Sequence, residues 1–262
     1  MKYAKKSLGQ NYLIEKNIIK KIISLTKIKG KNIVEIGPGR GALTDEILLQ
    51  EPKSLSLIEK DNELYEILKK KYLNLKNVKV YNSDILKFDL EKIIKKDSAI
   101  FGNLPYNISS QILIKILKFN TWPPKFQDLI FMFQKELGEK ITGKFKSKNY
   151  GRISIICNYR LNVIKKFLIS PNCFFPKPRV DSMIINFRPK RDKGLEIRIV
   201  NNLEKITKTI FSNRRKMINK NIKKIFDPKS LAKIQNLDLN LRPSDIDPGL
   251  YYKLAKILKN RG

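Results

Sequence analysis

Short apolar runs alternate with stretches of helical spacing along the first half of the chain. KNIVEIG (31–37) is a short apolar run that ends in glycine and predicts a strand, whereas NELYEILKKKY (62–72) has its apolar residues at helical spacing. Strands are predicted at 31–37, 54–61, 77–84, 98–103 and 126–134, and helices at 15–28, 41–50, 62–72 and 109–118. Strands that alternate with helices in this way predict an α/β fold built on a doubly wound parallel sheet.

The pattern changes beyond residue 150. VIKKFLIS (163–170) and DSMIINFRP (181–189) predict two further strands, antiparallel at the end of the sheet. RPKRDKG (188–194) is polar, charged and ends in glycine, which indicates a linker, and the sequence after it has helical spacing. The predicted organisation is a main domain at 1–188, with a basic N-terminal segment at 1–14, and a small all-helical domain at 189–262.

The charge of the chain is unusual and unevenly distributed. It has 55 Lys and Arg against 24 Asp and Glu, a formal net charge of +31 in 262 residues. Residues 1–31 carry a net charge of +8 and residues 189–262 carry +12, so the ends are more basic than the middle. An AT-rich genome would explain Lys in place of Arg but not the shortage of acids. The excess favours a polyanionic partner, nucleic acid first and an anionic membrane surface second.

Several kinds of chemistry are excluded by composition. The chain has no His, which removes His-based acid–base catalysis and Ser-His or Cys-His nucleophiles. Cys157 and Cys173 are too few for a disulfide framework or a zinc site, and no metal is predicted. No apolar run approaches the roughly 20 residues of a membrane span, and no signal peptide is recognisable. We therefore expect a soluble, cytoplasmic protein that does not contact membranes.

Glycine and polar residues follow four of the predicted strands. Gly37 and Gly39 follow the first, in VEIGPGRGALT, where backbone N–H groups can approach a ligand because glycine has no Cβ. Glu59 follows the second, where a carboxylate can accept hydrogen bonds from both ribose hydroxyls. Asp84 follows the third and could accept from an adenine amino group, and Asn103 follows the fourth. Because these strand ends meet at one rim, they predict a site for an adenosine-type cofactor.

Each of these residues also has a plain structural interpretation. The glycines could form only a tight turn, because they lack the third glycine of the dinucleotide fingerprint and the Gly-Lys-Ser/Thr of a P-loop. Glu59 could cap the helix that follows it, although Asp61 could do so instead, and Asp84 could serve as an N-cap or in a turn. Their convergence at one rim carries more weight than any one residue.

The stretch FGNLPYNISS (101–110) places Asn103 and Tyr106 at the end of a buried strand. Methylation of an aromatic amine requires the nitrogen lone pair to leave the ring system and face the methyl donor. The side-chain oxygen of Asn103 and the backbone carbonyl of Leu104 or Pro105 can accept from the two N–H groups and favour that geometry. Tyr106 can stack on an extruded base, a contact worth about 1–3 kcal/mol. No catalytic base is needed, because the amine loses its proton to solvent as it gains the methyl group.

The chain as a whole resembles the ribosomal RNA adenine dimethyltransferases, the KsgA family. NLPY looks like the (N/D)-P-P-Y-type motif of amino-group methyltransferases, and the other motifs occur in family order across essentially the whole chain. They are KSLGQNYL (6–13), VEIGPGRGALT (34–44), IEKD (58–61), NSDIL (82–86), NLPYNISS (103–110), QKELGEKI (134–141), YGRISI (150–155), FFPKPRVDS (174–182) and FSNRRK (211–216). The chain departs from the family pattern at Tyr12, where Phe is usual, and at Gly138 and Lys140.

The resemblance implies a Rossmann-like seven-stranded methyltransferase sheet with S-adenosylmethionine as cofactor. The residues implied to hold the cofactor are Gln10, Asn11, Leu13, Gly37, Gly39, Glu59, Asp84 and Asn103. The target adenine would be framed by Asn103, Leu104, Pro105 and Tyr106, with Phe174 on its other face. Phe175 is adjacent, and the sequence does not separate the two rings. In the basic helical tail, Arg214, Arg215 and Lys216 would bind RNA phosphates.

The implied reaction is N6,N6-dimethylation of two adjacent adenines near the 3′ end of small-subunit ribosomal RNA, by a monomer acting on that RNA or on an immature 30S particle. Two alternatives remain. An Erm-type enzyme shares the rim but modifies large-subunit RNA, and NLPY with FFPKPRVDS favours the small-subunit enzyme. A ribosome-assembly or transcription factor without catalysis would have no use for Asn103, Glu59 and Asp84.

Overall fold

The structure is a computed structural model and describes residues 10–235 and 237–258. These residues form two compact units. The first contains the chain up to Ile116, Pro124–Gly138 and Asn162–Pro189, and the second contains Leu117–Pro123, Glu139–Leu161 and the chain from Lys190 onward. Of the predicted basic segment at 1–14, residues 1–9 lie outside the described part.

The elements follow one another in the order that the sequence predicted for an α/β chain. The strands are β1 (Tyr12–Leu13), β2 (Asn32–Ile36), β3 (Ser54–Glu59), β4 (Val78–Asn82), β5 (Ser98–Gly102), β6 (Phe126–Gln134), β7 (Leu161–Ile169), β8 (Phe174–Phe175) and β9 (Ser182–Pro189). The helices are α1 (Lys16–Ile23), α2 (Ala42–Leu48), α3 (Asn62–Lys71), α4 (Leu90–Ile93), α5 (Ser109–Leu117), α6 (Lys135–Ile141), α7 (Arg152–Arg160), α8 (Ile197–Ile210), α9 (Asn219–Ile222), α10 (Pro228–Ala232) and α11 (Pro248–Ile257).

A seven-stranded sheet has the order β4-β3-β2-β5-β6-β9-β7, which confirms the predicted fold class. The pairs β3–β4, β2–β3, β2–β5 and β5–β6 are parallel, and β9 runs antiparallel to β6. β5 is buried along its whole length, as a strand covered on both faces must be. The strand order reverses between β2 and β5, and a crevice for ligands forms at such a reversal, outside the carboxyl ends of the strands.

A second, two-stranded ladder was not expected from the sequence. β1 and β8 pair antiparallel, with Tyr12 opposite Phe175 and Leu13 opposite Phe174. The ladder continues in a hydrogen bond from the Ile14 N–H to the Cys173 carbonyl, 2.9 Å long. These contacts hold residues 12–14 against the loop that precedes β9.

The second unit is assembled from three separated stretches of the chain, so it departs from a single boundary at residues 188/189. Its buried centre includes Arg160, whose guanidinium donates hydrogen bonds to the backbone carbonyls of Leu117, Phe119 and Leu195. The same guanidinium lies 4.5 Å from the centre of the Trp122 ring. A buried cation needs such partners, and here they come from residues distant in sequence. Hydrophobic periodicity does not register contacts of this kind.

Candidate active site

The turn between β2 and α2 uses glycine where the backbone requires it. Gly37 and Gly39 have φ angles of +67° and +59°, in the left-handed region that other residues rarely adopt. A Cβ on Gly37 would lie 3.7 Å from the backbone oxygen of Asn103, and one on Gly39 would lie 3.1 Å from atoms of the Tyr12 ring. The turn therefore runs close to the end of β5 on one side and to β1 on the other.

A cavity of about 830 Å³ opens at the carboxyl ends of the parallel strands, entirely within the first unit. Known small-molecule sites occupy a comparable range of roughly 300–1,000 Å³. Its wall brings together the predicted cofactor residues and the motif that follows β5. The predicted residues on this wall are Gln10, Asn11, Leu13, Gly37, Gly39, Glu59, Asp84, Asn103, Leu104, Pro105 and Tyr106.

Glu59 ends β3 with both carboxylate oxygens already engaged by backbone N–H groups. Its Oε2 accepts from Gly39 at 3.1 Å and its Oε1 accepts from Asp61 at 2.9 Å. Burial raises the pKa of Glu59 above its ordinary value, and these backbone hydrogen bonds oppose the rise. The carboxylate is thereby held at the cavity wall in a fixed orientation.

Asp84 follows β4 in a more open position. Its Oδ2 pairs with the Lys60 ammonium at 2.8 Å and its Oδ1 accepts from the Leu86 N–H at 2.9 Å. The hydrogen bond from Lys60 lowers the pKa of Asp84, so the group is an ionised acceptor at neutral pH. Asp84 therefore has the turn role considered from sequence, through its contact with Leu86, and it also lies on the cavity wall.

Asn103 is fixed by the residue that precedes β1. Its Nδ2 donates to the backbone carbonyl of Asn11 at 3.0 Å, which leaves Oδ1 as an acceptor. Tyr106 is held by a 2.6 Å hydrogen bond between its hydroxyl and the Ser182 hydroxyl at the start of β9. Burial raises the pKa of Tyr106, so its hydroxyl is neutral at physiological pH. The amide and the ring of the motif are thus each positioned by a different part of the chain.

Phe174 does not occupy the position predicted for it. The side chain is 3% exposed, packs in the hydrophobic core of the sheet and does not border the cavity. Phe175 is 51% exposed, because successive residues of a strand face opposite sides. This placement corrects the expectation that Phe174 offers a ring face to the base. As the structure stands, Phe174 is a core residue and Phe175 is the exposed ring.

Glu35 is a chemically notable residue of the cavity wall that sequence reasoning missed. It lies within β2, is 1% exposed and accepts a 2.7 Å hydrogen bond from the Thr44 hydroxyl of α2. Burial raises its pKa to about 8, so the carboxyl is largely protonated at neutral pH. An acid inside an otherwise apolar strand, VEI, was the only sequence signal for it.

The three predicted phosphate-binding residues lie in the second unit and are exposed. They differ in their partners. The Arg214 guanidinium donates to the backbone carbonyls of Lys148 and Tyr150, each at 2.9 Å, so it supports the fold of this unit. The side chains of Arg215 and Lys216 have no hydrogen-bond or ion-pair partner among the described residues. The structure therefore separates Arg214 from its two neighbours.

Within residues 10–235 and 237–258, no helix is long and apolar enough to cross a membrane. The same residues contain no group of three or more Cys, Asp or Glu side chains placed to hold a metal ion.

Comparison with known proteins gives a consistent result over almost the whole chain. A sequence model of the family described as "Ribosomal RNA adenine dimethylase" matches residues 1–260. The ribosomal RNA small subunit methyltransferase A of Pelagibacter ubique is 45% identical over 257 residues, which cover 97% of this chain and 96% of that protein.

Two solved structures share the architecture. A dimethyladenosine transferase from Plasmodium falciparum aligns with a TM-score of 0.73 at 26% identity, over 92% of this chain and 95% of that chain. The 23S rRNA methyltransferase ErmE aligns with a TM-score of 0.66 at 20% identity, over 94% of this chain and 99% of that chain. The likeness to ErmE extends to the fold alone.

Proposed function

The chain belongs to the ribosomal RNA adenine dimethylase family, and we propose that it dimethylates N6 of two adjacent adenines near the 3′ end of small-subunit ribosomal RNA. Enzymes of this family take the methyl group from S-adenosylmethionine. The observation that carries the proposal is Asn103, whose amide is fixed by the Asn11 carbonyl on a cavity wall that also contains Gly37 and Glu59.

The volume of the cavity and the acceptors on its wall support S-adenosylmethionine as its ligand. Gly37 has a φ of +67°, which keeps the turn after β2 close to the end of β5 at the place where we expect the ligand. We propose that Glu59 holds the ribose hydroxyls, that Asp84 accepts from the adenine amino group of the cofactor, and that Gly37 and Gly39 line its path. When bound, the cofactor supplies an electrophilic methyl group.

We assign the positioning of the target amine to Asn103 and the backbone after it. The Asn103 Oδ1 and the carbonyl of Leu104 or Pro105 accept hydrogen bonds from the two N6–H groups. The nitrogen lone pair is thereby directed out of the base π-system toward the methyl group of the bound donor, which would pass to N6 as its S–C bond breaks. One N6 proton passes to water, so no side chain has to act as a base, which suits a chain without His. Rate enhancement comes from orientation and electrostatic fit.

The base itself must be unstacked, because N6 is not accessible within a helix. Tyr106 offers a ring at the cavity wall, and its hydroxyl is tied to Ser182 at 2.6 Å. That tie holds the hydroxyl end of the side chain in place, so the position of the ring is set before the base arrives. A pre-positioned ring reduces the entropy lost on binding.

The small-subunit substrate is favoured over the Erm-type alternative by the relative at 45% identity, which is named for small-subunit RNA. A non-catalytic factor is disfavoured because binding RNA alone does not require a fixed Asn103 amide on the same cavity wall as Glu59 and Asp84. We further propose that the protein is a cytoplasmic monomer, that it acts on an immature 30S particle, and that its helical tail at 189–262 contributes phosphate contacts through Arg215 and Lys216.

The test is incubation with labelled S-adenosylmethionine and undermethylated small or large ribosomal subunits, followed by mapping of the labelled base. We expect two adjacent labelled adenines in small-subunit RNA. Label in large-subunit RNA would replace the proposal by the Erm-type reading, and label in neither would favour a binding factor.

The role of Asn103 is tested by Asn103→Ala, with Asn74→Ala as a matched control at an exposed position. We expect Asn103→Ala to lower kcat by roughly 100-fold or more, as the loss of a fixed polar group at a reacting centre does. RNA affinity should change little. Equal kcat values for Asn103→Ala and the control would contradict the proposed mechanism.

A further inference from the structure

The hydroxyl of Tyr12, at the start of β1, has a hydrogen-bond partner in the segment just before the strand. The Tyr12 hydroxyl donates to Gln10 Oε1 at 2.7 Å, and Gln10 Nε2 donates to Asp61 Oδ2 at 3.1 Å. A phenylalanine ring at position 12 could make neither the first contact nor the connection that it supports.

The order of these two bonds sets the orientation of the Gln10 amide. An amide side chain has one accepting end and one donating end, whereas an ionised carboxylate only accepts. With its Oε1 engaged by Tyr12, Gln10 must present Nε2 to Asp61. The reversed amide would place two acceptors against each other. Asp61 therefore fixes the orientation of the amide, and the Tyr12 hydroxyl, which can either donate or accept, holds Gln10 in it by donating to Oε1.

Asp61 connects this pair to the carboxylate at the predicted ribose site. Asp61 is the N-cap of α3, and its side chain accepts from the Glu63 N–H at 3.0 Å. Its own backbone N–H donates to Glu59 Oε1 at 2.9 Å. The other oxygen of Glu59 accepts from the Gly39 N–H at 3.1 Å.

This series of contacts returns to Tyr12 at Gly39, because the Tyr12 ring lies over that glycine. A Cβ on Gly39 would stand 3.1 Å from two carbon atoms of that ring, and the φ of +59° also favours glycine at this position. The contacts form a closed ring that includes the Glu59 carboxylate; its members are Tyr12, Gln10, Asp61, Glu59 and Gly39. Tyr12 supplies two of its links, one through the hydroxyl and one through the ring face.

We propose that Tyr12 is a positioning residue for cofactor binding, which acts by locking residues 10–14 onto the Gly39 turn and thereby fixing Glu59. The inference rests on the proposed function, since it concerns the same cavity. Binding is tighter when the site is already ordered, because less conformational freedom is lost when the ligand arrives.

Tyr12→Phe keeps the ring over Gly39 and removes only the hydroxyl. The matched control is Tyr65→Phe on α3, where the hydroxyl has no hydrogen-bond partner among the described residues. The Tyr12→Phe change removes the hydrogen bond to Gln10 and the contact of the hydroxyl with Arg40. Loss of a partly buried hydrogen bond corresponds to about a three- to tenfold change in an equilibrium constant. We expect Tyr12→Phe to raise the Kd for S-adenosylhomocysteine, measured by titration calorimetry, by about that factor. At saturating cofactor, kcat should change by less than twofold.

Hydrogen exchange of the ligand-free protein provides a measurement that does not depend on catalysis. We expect the amides of residues 11–14 to exchange about three- to tenfold faster in Tyr12→Phe than in the parent or in Tyr65→Phe. Gln10→Leu should produce the same increase, and the double variant should add little to it, because both changes break one connection.

The outcomes separate the two proposals. If the parent protein binds no S-adenosylhomocysteine, the proposed function fails irrespective of Tyr12. If the parent binds and Tyr12→Phe shows unchanged affinity and unchanged exchange at residues 11–14, the positioning role of Tyr12 is refuted while the proposed function stands. Additive effects of Tyr12→Phe and Gln10→Leu would likewise overturn the connection through Gln10.

Discussion

Replacing Glu35 by Gln removes a buried titrating group while keeping its shape and an acceptor for the Thr44 hydroxyl. Glu35 is 1% exposed, and its carboxyl accepts a 2.7 Å hydrogen bond from Thr44. Within residues 10–235 and 237–258, no cation is hydrogen-bonded to it. Burial is the main reason that its pKa rises from 4.5 to about 8. The variant therefore isolates the cost of placing an ionisable group inside β2.

The direction of the effect follows from proton binding in the two states. The folded protein keeps the proton on Glu35 up to about pH 8, whereas the unfolded chain releases it above its ordinary pKa of 4.5. Unfolding therefore releases a proton between these values, and the free energy of unfolding falls as pH rises through this window. The stability that comes from this bound proton is fully present below about pH 4.5 and is lost above about pH 8. The total loss amounts to about 4–5 kcal/mol at most.

The assay is urea unfolding of the parent and of Glu35→Gln at several pH values from 5 to 9, followed by circular dichroism. We expect the parent to lose up to about 4–5 kcal/mol relative to the variant over this range, most of it between pH 5 and 8. Glu66→Gln, at an exposed position on α3, serves as the control. Parallel stability curves for the parent and Glu35→Gln would refute the reasoning, since they would mean that Glu35 titrates alike in both states.

Two further predictions concern the residues that the structure placed differently from the sequence. Phe174→Leu should lower the free energy of unfolding by about 1–2 kcal/mol through lost core packing. Phe175→Leu should leave the free energy of unfolding unchanged and raise the KM for the RNA substrate. If only the stably folded Phe174→Leu protein shows a raised KM, the stacking role belongs to Phe174. Arg215→Ala should reduce the salt dependence of RNA binding by roughly one phosphate contact, a slope change of about 0.7–0.9, at unchanged stability. Arg214→Ala should instead lower the free energy of unfolding by about 1 kcal/mol. Thermal melts measure the change in stability, and RNA-binding isotherms at several salt concentrations measure the salt dependence. Identical salt slopes for Arg215→Ala and the parent would show that Arg215 does not contact RNA phosphates.

The sequence determined the parallel part of the sheet and the chemistry of its rim. Apolar runs separated by helical patterns give the strand and helix types directly, because local periodicity reports which faces are buried. Parallel strands that share a direction bring their carboxyl ends to one edge. The residues that follow β2, β3, β4 and β5 could therefore be expected together before any coordinates, and they are together on the cavity wall.

Only the tertiary structure decided which neighbours those residues have. Phe174 and Phe175 are indistinguishable as letters, but pairing of β8 with β1 sends one ring into the core and the other outward. Arg214 and Arg215 are equally basic, yet only Arg214 reaches the carbonyls of Lys148 and Tyr150, more than 60 residues away in sequence. Contacts at such separations leave no periodic trace in the chain, because they depend on where the fold brings distant segments together. The link from Tyr12 through Gln10 to Asp61 is of this kind, because it forms only where the fold places residues 10–12 beside the start of α3.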